Sequence, residues 1–127
     1  MCLFGSTKLD AGMDASTALE ELVGLSTQIV EVVVATPEGV IEAAHAAGEE
    51  RAQALAAAGA ELFAAAATIR PSSQAVERVH VDLERGSVVA CTDGERSIVA
   101  TTIAEPTAGL VAYDLRMALR RLRGEAA

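Results

Sequence analysis

The chain has 127 residues, a net charge of −8 and 51% hydrophobic residues, which suits a single domain around one apolar core. Two Phe, one Tyr and no Trp leave Val, Leu, Ile and much Ala to build that core. The acidic balance argues against nucleic-acid binding, which needs clustered Lys and Arg, and no apolar run approaches the roughly 20 residues of a membrane helix.

Residues 1–13 show no period and read as an N-terminal tail, in which Leu3 and Phe4 are the candidates to dock onto the domain. The opening "MCLFGSTKLDAG" lacks the regions of a secretory leader, so a cytoplasmic location is expected, with any membrane recruitment left to a partner. "MDASTALEELVGL" then reads as a first helix, capped by Asp14 or Ser16, striped by Leu19, Leu22 and Val23, and stopped at Gly24. "TQIVEVVVATPEGVIEAAH" reads as a hairpin. Its first strand is Ile29 to Ala35, "TPEG" is the turn through Pro37 and Gly39, and Val40 to Ala44 returns. A long alanine-rich helix follows, from about Gly48 to Ile69, ended by Arg70-Pro71 and a "PSSQ" loop.

Three strand signals come next. "AVERVHVDLE" alternates, with Val79, Val81 and Leu83 on one face and Arg78, His80 and Asp82 on the other. Arg85-Gly86 turns into "SVVACT", and Asp93-Gly94 turns into "RSIVATTI". A closing helix begins after Pro106 with Thr107 as N-cap. Leu110, Val111, Leu115, Ala118, Leu119 and Leu122 form its expected buried stripe. The order α-β-β-α-β-β-β-α, with tight turns between neighbouring strands, predicts an α/β (α+β) domain with a five-stranded antiparallel sheet. The domain is expected over residues 14–123, with residues 124–127 as a C-terminal tail.

Catalytic and metal signals are missing. His45 and His80 lie on strands without zinc spacing and read as polar-face or interface positions. Cys91 sits in an apolar strand and reads as a small core residue; with Cys2 it makes neither a disulfide framework nor a metal site. No phosphate-cradling loop and no nucleophile elbow occur. Glu20-Glu21, Glu49-Glu50 and Asp93/Glu95 read as solvated surface. Arg116, Arg120, Arg121 and Arg123 gather near the last helix end, where they favour the helix dipole or meet an acidic partner. No cofactor, metal or catalytic residue is expected, and the chain reads as a binding module.

"AQALAAAGAELFAAAATIR" carries the one unusual pattern. On a helical wheel, Ala52, Leu55, Gly59, Leu62, Phe63, Ala66 and Ile69 share the side expected to face the sheet. Glu50, Gln53, Glu61 and Thr68 lie opposite. Two flanks remain: Ala56, Ala60 and Ala67, and Ala54, Ala58 and Ala65. Such flanks are either an exposed helix drawn from an alanine-rich composition or room for a second helix. If the first and last helices cover the far face of the sheet, that second helix is the same element of another copy, related by a twofold axis. The strand after it, if at the sheet edge, would pair with its own symmetry mate into a continuous sheet.

This pattern resembles the Roadblock/dynein light-chain domain family, a relative of the longin fold, and its short free-standing bacterial members most. "LEELVGL", "VEVVVATPEGVIEAA", the Ala/Leu helix and "VERVHVDLERGSVVACTDGERSIVATTIAEPTAGLVAYDLRMALRRL" carry the resemblance. It implies a homodimer through the central helix and the following strand. Together with the wheel, it gives a dimer interface of Ala54, Ala56, Ala58, Ala60, Glu61, Ala65, Ala67, Val79, His80 and Val81. It also implies a small Ras-like GTPase as partner, regulated or scaffolded, contacted through Glu50, Gln53, Ala57, Ala64 and Thr68. A sensor-kinase-like protein is a further implied partner. "TPEG" departs from the aspartate-rich turn of relatives, and no residue matches a catalytic finger; activators in this family reposition the GTPase's own machinery. The alternatives are a small-molecule-sensing module with a closed apolar pocket, a signalling adaptor without a GTPase, and an enzyme with a dispersed site.

Overall fold

A computed structural model describes residues 14–69 and 76–124. The tail with Leu3, Phe4 and Cys2, the Arg70-Pro71 stop, the "PSSQ" loop, Ala75 and the last three residues lie outside the described residues. The order is α1 (Ala15–Leu25), β1 (Ile29–Ala35), β2 (Ile41–His45), α2 (Glu49–Ala67), β3 (Arg78–Leu83), β4 (Gly86–Thr92), β5 (Ser97–Thr102) and α3 (Ala108–Leu122). All strand pairings are antiparallel, in the order β2-β1-β5-β4-β3, so the expected α+β architecture with a five-stranded antiparallel sheet is present.

Local chemistry explains most of the element ends. Asp14 is the N-cap of α1: Oδ1 accepts the Ser16 N–H at 3.0 Å and Oδ2 accepts the Thr17 hydroxyl at 2.6 Å. Gly24 does not stop this helix. It stays out of the left-handed region, and the chain continues to Leu25, where the Ser26 N–H closes on the Leu22 carbonyl. The "TPEG" turn forms, with Gly39 at φ +92° and the Gly39 N–H on the Thr36 carbonyl. Val40 belongs to that turn and not to β2, because its carbonyl accepts from Thr36 N and its N–H donates to Thr36 Oγ1.

The turn between β3 and β4 falls at Glu84-Arg85, one residue earlier than expected, and Gly86 opens β4 opposite Leu83. A Cβ at Gly86 would collide with the Thr102 carbonyl oxygen, which explains glycine there. Thr107 occupies the N-cap position of α3 without a side-chain cap bond; its N–H donates to Gln28 Oε1 at 2.6 Å.

Burial divides the molecule into two layers on either side of the sheet. Val32 and Val34, with Val89, Cys91, Ile98 and Ala100, face α1 and α3, where Leu19, Leu22, Val111, Leu115 and Leu119 complete the larger core. Val33, Ala90 and Val99 face α2 and meet Ala52, Leu55 and the half-buried Phe63. Residues Val32 to Ala35 are therefore buried consecutively, the pattern of a central strand covered on both sides. Cys91 is fully buried, as expected of a core thiol.

Three apolar positions depart from the expected stripes. Ile69 is 75% exposed because α2 ends at Ala67 and the wheel no longer applies beyond it. Leu83 is 60% exposed at the last position of β3. Leu110 is 50% exposed; the stripe of α3 uses Ala112 instead, about 200° round the helix from Leu110.

Candidate protein-interaction surface

Among the described residues α2 is the one helix on its face of the sheet, and it packs on β1, β2, β3 and β5. Its inner side explains its close approach. A Cβ at Gly59 would sit 2.5 Å from Val99 Cγ2, so glycine lets the helix backbone settle onto β5. One ion pair fixes its first turns. Arg51 Nε and Nη2 donate to the two Glu31 oxygens at 2.9 and 3.1 Å, and Thr101 Oγ1 adds a bond at 2.9 Å. The bidentate bond from Arg51, with the Thr101 hydroxyl and charge attraction adding to it, outweighs burial and holds the Glu31 carboxyl below its usual value.

A group with a lowered folded pKa adds stability above its unfolded pKa and loses it as pH falls. Glu31→Gln is therefore expected to cost a small part of the stability near pH 7. It also removes a part of the wild type's acid sensitivity, which begins near the usual value of about 4.5 and continues downward. Thermal melts of both proteins from neutral pH to about pH 3 check this; parallel acid limbs would refute the role.

The outer side of α2 is nearly uncharged. Ala54, Ala57, Ala58, Ala60, Ala64, Ala65 and Ala67 are exposed, and Ala56 is half-buried. Between Gln53 and Thr68 the only charged side chain is Glu61, also exposed. Glu50, Gln53 and Thr68 are exposed at the two ends. A helix side turned permanently to water ordinarily carries more charge than this.

β3 lies at the edge of the sheet, next to α2. Val79 pairs with Ala90 and Val81 with Val88, and these partners belong to the core under α2. The half-buried Val79 and Val81 thus continue the alanine surface of α2 out to the sheet edge. His80 does not join them. It pairs with Val89 and faces the α3 side, although it remains on the edge strand.

His80 takes part in a small polar cluster on the edge strand. His80 Nε2 lies 2.9 Å from Asp82 Oδ1, and Ser87 Oγ donates to the same oxygen at 2.7 Å. The Ser87 hydroxyl and the His80 imidazole each bond the carboxylate and not each other, so the cluster is not a serine–histidine pair. The Ser87 bond, then the charge of His80, keeps the Asp82 pKa low. Cys91 is fully buried, and burial pushes its thiol up to about 11, against a smaller opposing pull from Arg78 and Arg116. Among the described residues no group of three or more His, Cys, Asp or Glu is placed to hold a metal ion, and no helix is long and apolar enough to cross a membrane.

Open grooves run between the described elements. One, of about 440 Å³, lies between α3, the start of β3 and the β4–β5 turn. Another, of about 660 Å³, lies between the β1–β2 hairpin and the start of α2.

The sequence matches no protein-family model and no curated protein. Its structure is similar to many solved ones. A Roadblock/LC7 domain from Streptomyces avermitilis aligns with a TM-score of 0.76 and 18% identity, over 88% of this chain and 95% of that one. MglB from Myxococcus xanthus aligns at 0.71 and 14%, over 87% and 85%. The likeness extends to profilin II from Acanthamoeba castellanii, at 0.62 and 14%, over 86% and 96%. Among the described residues, the strand order, the one helix on one face and the two on the other give the chain the fold of these Roadblock/LC7 domains.

Proposed function

We propose that the chain is a homodimeric regulator or scaffold of a small Ras-like GTPase. The observation that carries the reading is the alanine face of α2, exposed and almost uncharged among the described residues, beside the edge strand β3. A second copy related by a twofold axis covers such a self-complementary surface, helix against helix and edge against edge. The short alanine side chains allow close backbone approach, and the pairing of β3 with its mate removes an exposed edge. Glu50, Gln53, Ala57, Ala64 and Thr68, on the solvent side of the paired helices, then form the ground for the GTPase. The Roadblock fold and the resemblance of the sequence to that family support the partner class; because profilins share the fold, the fold alone does not assign it. The two grooves described above, formed by the described residues, are open, which does not favour a small-molecule sensor built on either of them.

The test is GTP hydrolysis by the Ras-like GTPases of the same genome, with and without the chain, together with co-elution in gel filtration. Complex formation with one of them is expected. A raised hydrolysis rate identifies an activator, and an unchanged rate in a stable complex identifies a scaffold. Failure to bind any of them refutes the reading.

A further inference from the structure

The groove between α3 and β3 lies on the side of the sheet away from α2. Arg116, Arg120 and Arg123 line it, three of the ten Lys and Arg residues of a chain whose net charge is −8. Glu77 and Asp93 also line it, and Leu119 provides an apolar step between the arginines. Asp93 is largely committed: Oδ1 accepts the N–H groups of Glu95 and Arg96 at 2.8 and 2.9 Å, and Oδ2 lies 3.8 Å from Arg123 Nη1. Arg116 has no ion pair among the described residues. Arg78, from the adjacent strand, lies near enough for its charge to act on Cys91 together with that of Arg116.

A local cluster of positive charge on an acidic molecule selects its partner by sign, because the rest of the surface repels the same ligand. The shape selects further. Residues 116 and 123 are seven positions apart, about 10 Å along the helix axis. A row of guanidinium groups of that length, broken by Leu119, fits a polypeptide that offers acidic and apolar side chains in turn. A compact anion needs donors that converge on one point. We propose that this groove docks an acidic segment of a partner protein, independently of the α2 surface and of the GTPase reading.

The probe is a labelled peptide rich in Glu and Leu, titrated against the full chain by fluorescence anisotropy beside its Gln-for-Glu counterpart. The acidic peptide is expected to bind at least about tenfold more tightly than the neutral one, and to weaken as salt rises. Arg116→Gln with Arg120→Gln, both at exposed sites, is expected to lose about tenfold in affinity while circular dichroism stays unchanged. Arg121→Gln serves as a control, since Arg121 points to Glu21 on α1 at 4.0 Å and should bind as the wild type does. Equal binding of the two peptides, or unchanged binding by the Arg116/Arg120 variant, overturns the proposal. So does displacement of the peptide by inorganic pyrophosphate at matching concentration, which would make the groove a small-anion site.

Discussion

If the proposed dimer forms through α2, Ala58→Arg and Ala60→Arg are expected to leave monomers. Both positions are exposed in the single chain, so a long charged side chain meets no steric obstacle to folding there. The cost arises only on association. Near a twofold axis each arginine meets its own symmetry mate, so two like charges lose water together without a counter-ion. An uncompensated buried charge costs about 3–5 kcal/mol, or roughly two to four orders of magnitude in the dissociation constant. Light scattering reads the mass, and circular dichroism separates dissociation from unfolding. The two variants also rank the flanks, because Ala58 and Ala60 lie on different sides of the helix. The more damaging substitution marks the flank nearer the axis. Two variants that remain dimeric would place the interface elsewhere.

Gly86→Ala should give the largest loss of stability of any single methyl addition to the sheet. The added Cβ meets the Thr102 carbonyl oxygen, a backbone atom that cannot rotate away. Next to it, the buried Ser87 donates its N–H to Thr102 Oγ1 at 3.1 Å, so a shift to relieve the clash also disturbs that bond. Overpacking of this kind costs about 2–3 kcal/mol, which lowers the melting temperature of a domain of this size by about 10 °C. Gly24→Ala is the control. Its Cβ would meet nothing within 4 Å on α1, so helix propensity should make it slightly stabilising. A Gly86→Ala protein that melts with the wild type would refute the close approach of β4 to the end of β5.

Features written in consecutive residues could be read directly: the Asp14 cap, the "TPEG" turn, the paired hairpins and the inner side of α2 at Ala52, Leu55 and Gly59. The readings failed at the ends of elements: Ile69 lies beyond α2, Leu83 is the last residue of β3 and Leu110 sits in the first turn of α3. Wheels and alternations describe regular backbone and lose meaning at its ends. The pairing of β1 with β5 was not legible, because nothing in either strand names a partner some 70 residues away, although the buried run Val32 to Ala35 did carry the sign of a central strand. The same limit applies to the arginine groove. The cluster on α3 was visible in the sequence, but its position against Glu77 and Asp93 is a product of the fold.

Light scattering of the wild-type chain across the micromolar range tests the central claim, that a second copy covers the alanine face of α2. The account predicts the mass of two chains, falling towards one only on dilution or on substitution of that face. The mass of a single chain at every concentration would contradict it.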